Sequence, residues 1–125
     1  MATFLSRAWM DGLAAALGSA APVAGDRLLL GQIVTGAPSG EVRYTLAVGG
    51  GEPPEVVEGT TEGATVTLVA DYATARAIAS GTPAAELLSQ GRVKVRGDAN
   101  ALIAAEEQLA VIGGALAGLA AATEF

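Results

Sequence analysis

Few side chains in this chain can do chemistry. Its 125 residues contain no histidine and no cysteine. An imidazole base, a thiolate nucleophile, a disulfide, a histidine or thiolate metal site and an axial haem histidine are therefore excluded. The neutral donors with reach are Tyr44 and Tyr72, which suit a hydroxyl or carboxyl head group. Arg76 suits a carboxylate. Trp9, the sole tryptophan, either fills the core with its N–H bonded locally or borders a ligand. In a small cyclase- or hydratase-like enzyme the side chains to try are Tyr44, Tyr72, Asp26, Glu41 and Arg43. Glu106 and Glu107 are adjacent and cannot share a helix face, so they make no catalytic pair. Asp71 and Asp98 stand where helices begin and read as N-caps. No lysine follows Gly49-Gly50-Gly51 and no helix opens there, so it is no phosphate loop. No catalytic residue, metal ligand or cofactor site is assigned.

The charge balance narrows the partners. Thirteen acidic residues against seven basic leave a net charge of −6. Such a chain repels phosphates, which argues against nucleic acid and against a polybasic grip on anionic lipid. Hydrophobic residues make up 51%, too many for general disorder. Aromatics supply only 4%, and there are 17 glycines. An interior of small side chains either packs backbone to backbone or leaves space between layers, and space is what a lipid carrier needs. Both readings stand at the level of composition.

The N-terminus imitates a secretory signal, with Arg7, the apolar stretch Gly12–Leu17 and Ser19-Ala20-Ala21. Asp11 interrupts it and the apolar stretch is short, so the better reading is a helix. Gln108–Thr123 carries no charge, but it is short for a membrane span and holds three glycines. The expectation is a cytoplasmic protein without stable membrane insertion.

The elements that must position these groups are legible in part. Ser6 caps a helix over Arg7–Leu17, with Ala8, Trp9, Gly12, Leu13, Ala16 and Leu17 on one side. Leu28–Thr35 is a near-continuous apolar run, as in a strand covered on both faces. Gly36–Gly40 turns the chain, and Glu41–Val48 alternates, with Val42, Tyr44, Leu46 and Val48 facing one way. Glu55–Glu58 follows two prolines, which suit a sheet edge. Thr65–Ala70 is a fourth strand. Asp71 then caps a helix over Tyr72–Ser80, and Thr82-Pro83 opens another, with Thr82 as its cap, that Gly91 stops. Arg92–Arg96 is a fifth strand. Asp98 caps a last helix whose Leu102, Ala105, Leu109, Ile112, Leu116 and Leu119 recur at alternating spacings of three and four. This is a single α+β domain spanning 1–125, with a mostly antiparallel, mixed five-stranded sheet and helices on one face. A strand–helix–strand crossover predicts that the fourth and fifth strands are parallel.

Four segments in order resemble the sterol carrier protein type 2 domain family, closest to its small stand-alone actinobacterial members. They are Phe4-Leu5-Ser6 with Trp9, the hairpin from Val34 to Tyr44, the run from Val66-Thr67-Leu68 through Asp71-Tyr72 to Gly81, and Gly91–Asp98. Each is weak alone, and the ordered set is specific. Two departures are Thr65, where members often carry Asp, and the ending Thr123-Glu124-Phe125 in place of a peroxisomal tripeptide. The resemblance implies a strand order of 3-2-1-4-5, with the fourth strand antiparallel to the first. It also implies an apolar tunnel between sheet and helices that holds a sterol, fatty acid, acyl compound or phospholipid without covalent chemistry. Trp9, Leu13, Leu17, Leu46, Leu68 and Tyr72 are then expected around the lipid. So are Ile78, Leu87, Leu102, Leu109, Ile112 and Leu116. Tyr44, Tyr72 and Arg76 are the head-group candidates.

The last helix has two unlike halves. Beyond Val111 there is no charge before Glu124, and each glycine in a helix costs about 0.5–1 kcal/mol relative to alanine. A weak, wholly apolar segment suits a lid over the tunnel or a contact between two copies of the chain, as a homodimeric interaction module. Deleting Ala110–Phe125 separates these roles. Loss of a lid leaves a folded protein that exchanges lipid faster, and loss of a structural cap unfolds it.

Overall fold

The computed structural model describes residues 2–125. In chain order the elements are β1 (Ala2–Thr3), α1 (Arg7–Gly18), β2 (Leu28–Ala37), β3 (Gly40–Gly49), β4 (Glu52–Glu58) and β5 (Val66–Asp71). They continue as α2 (Tyr72–Ala79), α3 (Ala84–Ser89), β6 (Val93–Gly97), α4 (Ala99–Ala104), α5 (Glu106–Ala120) and β7 (Thr123–Glu124). No helix of the described residues is long and apolar enough to cross a membrane.

The sheet has the order β4-β3-β2-β5-β6. Counted within the sheet this is 3-2-1-4-5, as expected. The directions differ from expectation. The parallel pair is β2 with β5, and β5 with β6 is antiparallel. Two features of the chain explain it. Between β5 and β6 the chain forms two short helices in succession, α2 and α3, and returns to the end of the sheet it left instead of crossing its length. Between β4 and β5 the chain crosses over through residues 59–65, with no helix at all.

That link lies on the outer face of the sheet. The Thr45 hydroxyl donates to the Thr60 carbonyl at 2.8 Å, and the Thr65 N–H donates to the Leu29 carbonyl at 2.8 Å. Gly31 is the point of closest approach. A Cβ there would stand 2.7 Å from the Thr67 hydroxyl and 3.0 Å from the Cβ atoms of Ala64 and Thr61. Thus β2 is covered on both faces, by main chain outside and by the core within.

The inner face carries the core. Opposed pairs Leu30–Leu46, Gln32–Tyr44 and Val34–Val42 point toward the helices, and Val66, Leu68 and Ala70 of β5 continue that face. Helix α1 packs on β4 and α5 and buries Trp9, Met10, Leu13 and Leu17. Met10 takes the place expected for Ala8, which is exposed. The apolar stretch that imitates a signal peptide lies within this helix, with Leu13 and Leu17 on its inner side.

Three N-caps hold as read: Ser6 accepts from the Trp9 N–H, Asp71 from the Thr74 N–H and Asp98 from the Ala101 N–H. Thr82 does not cap α3. Pro83 occupies that position, without a side-chain bond. Gly49-Gly50-Gly51 anchors the segment before β2: Gly50 N–H donates to Gly25, Gly51 N–H to Val23, and Arg27 donates to the Gly49 carbonyl. Gly49 has φ +111°, and a Cβ would strike the Asp26 carbonyl, so only glycine fits.

The expected last helix is two helices. Ala105, at φ −96° and ψ 39°, separates α4 from α5. Neither glycine nor proline causes the break. Ala105 is buried in the core, and the Gln108 side chain donates to the Asp26 carbonyl at 2.6 Å, so tertiary contacts set the start of α5. Its far end is tied as well. Strand β7 pairs in parallel with β1, and Phe4 N–H donates to the Glu124 carbonyl at 2.9 Å.

Gly31→Val is expected to lower stability by about 1–3 kcal/mol, because the added methyls meet the 59–65 link where it cannot recede without releasing β5. Thermal unfolding followed by circular dichroism checks this, and an unchanged midpoint would show that the link has room.

Candidate functional site

A cavity of about 560 Å³ lies between the inner face of the sheet and α5. That is within the range of about 300–1,000 Å³ that holds small-molecule ligands. Its floor is Leu30, Gln32 and Val34 of β2, Tyr44 and Leu46 of β3, Leu68 and Ala70 of β5, and Val93 of β6. Its roof is one side of α5, from Leu109 to Ala120. Phe4 and Trp9 close one side, and α2 with residues 80–83 forms another. The lining residues that are also exposed are Ser80, Gly81, Pro83, Gly113 and Ala117, so the opening lies between α5 and the α2–α3 link.

The space exists because its walls are short. Ala70, Ala75, Ala79, Gly113, Ala117 and Ala120 all face it. Composition left close packing and an interlayer space as alternatives, and the fold contains the second.

Among the described residues no lysine, arginine, aspartate or glutamate lines the cavity. The titratable wall group is Tyr44, which is 7% exposed, and burial pushes its phenol well above the ordinary range. The group stays protonated at neutral pH, so it can offer a hydrogen-bond donor and does not act as a base. The ring sits edge-on to Trp9 at 6.4 Å, and Trp9 is edge-on to Phe4 at 5.0 Å.

Of the residues expected around a ligand, Trp9, Tyr44, Leu46, Leu68 and Ile78 line the cavity, as do Leu109, Ile112 and Leu116 of α5. The other positions lie elsewhere. Leu13 and Leu17 are fully buried, but on the turns of α1 that pack over the edge strand β4 and against α5. Leu87 is buried on α3, which packs against β6. Leu102 belongs to α4, beyond the break at Ala105. Tyr72 lies outside, tilted against Phe4 at 5.8 Å. Arg76 is exposed, its guanidinium 5.7 Å from the centre of the Tyr72 ring. A cation over an aromatic face explains that pair without a ligand.

The side chains tried for catalysis are dispersed. Arg43 and Glu41 form an exposed ion pair at 2.8 Å on the outer face, and Asp26 lies in the segment before β2. Among the described residues no group of three acidic side chains is placed to hold a metal ion.

Sequence reasoning missed Phe4, the small residues of the wall and, most of all, Gln32. A signal for Gln32 was present: it is the one polar residue between Leu28 and Val34, and it shares the parity of Leu30 and Val34. Any face that buries those two also turns Gln32 inward.

No family model and no curated protein matches the chain. Solved structures do. A conserved hypothetical protein of Thermus thermophilus, described as a possible sterol carrier protein, superposes with a TM-score of 0.67 at 19% identity, over 96% of this chain and 92% of that one. A crystal structure of sterol carrier protein 2 gives 0.67 at 21% identity, over 91% and 96%. Palmitated sterol carrier protein 2-like 2 of Aedes aegypti gives 0.60 at 20% identity, over 86% and 95%. With its strand order, its one-sided helical layer and these superpositions spanning nearly the whole chain, this protein has the sterol carrier protein 2 fold.

Proposed function

We propose that this chain is a carrier that binds an apolar lipid reversibly in the cavity under α5 and performs no covalent step on it. One observation carries the reading: a cavity of about 560 Å³ with an apolar wall and no charged lining residue among those described. Such a site offers burial and little else, and burying a chain contributes roughly 0.8 kcal/mol per methylene before ordering costs. The fold is shared with proteins described as sterol carriers, and the Aedes aegypti neighbour is described as palmitated, which accords with an apolar lipid ligand. A biosynthetic enzyme using the same pocket is less well supported, because Tyr72, Asp26, Glu41 and Arg43 are not among its walls. A homodimeric module has no observation in its favour.

In this reading α5 is a gate. Its beginning is held by Gln108 and its end by β7, so movement is expected between them, around Gly113, Gly114 and Gly118. Nothing lies within 4 Å of a Cβ added at Gly114 or Gly118, and neither lines the cavity. Because both ends of α5 are tied into the core, the helix is also a structural cap, so removing Ala110–Phe125 is expected to unfold the protein and does not test the gate.

Two measurements test these claims. Titration of a fluorescent fatty acid and a fluorescent sterol is expected to give micromolar binding to at least one, about −8 kcal/mol. Ala70→Phe, which fills the cavity from its floor, is expected to weaken that binding at least tenfold while the protein stays folded. If neither probe binds at tens of micromolar, the carrier reading fails. For the gate, Gly114→Ala with Gly118→Ala is expected to raise stability by about 1–2 kcal/mol and to slow lipid release several-fold in stopped-flow transfer to vesicles. A stabilised variant with wild-type release would mean that α5 does not open.

A further inference from the structure

The cavity floor contains a feature that apolar burial does not require. Gln32 and Tyr44 stand directly opposite one another on the central strands β2 and β3, and both line the cavity. Directly opposed residues have Cβ atoms about 4.5–5.5 Å apart, so the amide and the phenol project together. The neighbour of Gln32 on its other side, in β5, is Leu68. The pair is thus an island of hydrogen-bonding groups in an apolar floor.

The Tyr44 ring packs against Trp9, but neither polar group is bonded within the fold. Among the described residues no hydrogen bond joins the Gln32 amide or the Tyr44 hydroxyl to another protein group. Tyr44 is nonetheless 7% exposed. The polar atoms of both side chains open onto the cavity, since the side-chain polar atom sealed off without a partner among the described residues is the Thr74 hydroxyl, and a leucine and a phenylalanine would line the same places with purely apolar surface. The natural partner of such groups is one that enters from the cavity.

Resting on the carrier reading, we infer that the cavity selects a lipid whose polar group is uncharged, a hydroxyl or a carbonyl, and that Gln32 and Tyr44 hold that group. The chemistry of the pair matches. The glutamine amide both donates and accepts, and the phenol does the same, so either a hydroxyl or a carbonyl is satisfied. An ionised carboxylate or phosphate is served less well: the pair can donate to it, but among the described residues no lysine or arginine lines the cavity to offset its charge and the loss of its hydration. Arg76, the cation expected at a head group, is exposed beside the Tyr72 ring. At the rim, Ser80 and Thr82 are also uncharged, and the Ser80 hydroxyl is spent on the Ala77 carbonyl at 3.1 Å. A net charge of −6 adds no attraction for an anion at the mouth.

The test compares four ligands of one chain length: dodecanol, methyl dodecanoate, dodecanoate and dodecane. Binding is read at neutral pH from the emission of Trp9, which lines the cavity and is the sole tryptophan. Dodecanol and the methyl ester are expected to bind at least tenfold more tightly than dodecanoate. In Gln32→Leu with Tyr44→Phe, both are expected to lose roughly tenfold while dodecane binding is unchanged, a pattern that general damage to the cavity would not produce. If dodecanoate binds as tightly as dodecanol, or if the double variant keeps the wild-type order and affinities, the inference is overturned and the carrier reading stands. If none of the four binds, the carrier reading itself fails. The comparison of ester with carboxylate uses only the wild-type protein, so it holds even if the double variant does not fold.

Discussion

The cavity depends on how the central strand is covered. Strand β2 is apolar on both faces, yet the helices that flank the cavity lie on one. In a parallel α/β sheet, helices would cover both faces and the interior would close. Here the outer cover is main chain. The 59–65 link runs across β3 and β2, fixed by the bonds from Thr45 and Thr65 and admitted by the missing side chain of Gly31. Because so thin a cover suffices outside, the helical layer is free to serve the inner face alone. The same link delivers the chain to the start of β5 beside β2, which makes that pair parallel and puts Leu68 and Ala70 on the cavity floor.

The inner layer then stands off from the sheet instead of collapsing onto it. Helix α5 is held at its two ends, by Gln108 on the Asp26 carbonyl and by the β7–β1 pair. In between, it presents Gly113, Ala117 and Ala120 as well as Ile112 and Leu116 to the cavity. At the Phe4–Trp9 end the opposite holds. Three aromatic rings, Phe4, Trp9 and Tyr44, pack edge to face and fill the layer. The few aromatics of the chain are thus concentrated where the layers are closed, and the alanines where they are open.

Local pattern made much of this legible. Alternation identified the β3 face that carries Tyr44 and Leu46, the prolines marked β4 as an edge, and Ser6, Asp71 and Asp98 were recognisable as caps. The failures were tertiary. Whether the fourth strand pairs in parallel with the first or the fifth depends on where the 59–65 link crosses, and no residue in that link states its direction. The break at Ala105 has no local cause, since the spacing of Leu102, Leu109 and Ile112 runs through it. Periodicity also could not separate wall from core. Leu13 and Leu116 have the same apolar character, and only the position of α1 over β4 sends the first into packed core while the second faces the cavity. Gln32 was overlooked for the reverse reason: a continuous apolar run hides the one polar member whose parity matters.

What fills the cavity bears on the stability of the fold. Closed voids opened in a protein core cost on the order of 24 cal/mol per Å³ when nothing occupies them. This cavity opens to solvent between α5 and the α2–α3 link, so water enters it and that cost does not fall on its whole volume. Water fills it poorly, because Gln32, Tyr44 and the rim hydroxyls are too few to satisfy more than a handful of water molecules in an otherwise apolar space. An apolar molecule fills it well, and whatever binds the folded state alone stabilises it by mass action. In the carrier reading, the small side chains that make room for a ligand also let that ligand stabilise the domain. The ties at both ends of α5 would then keep the layers in register while the contents exchange.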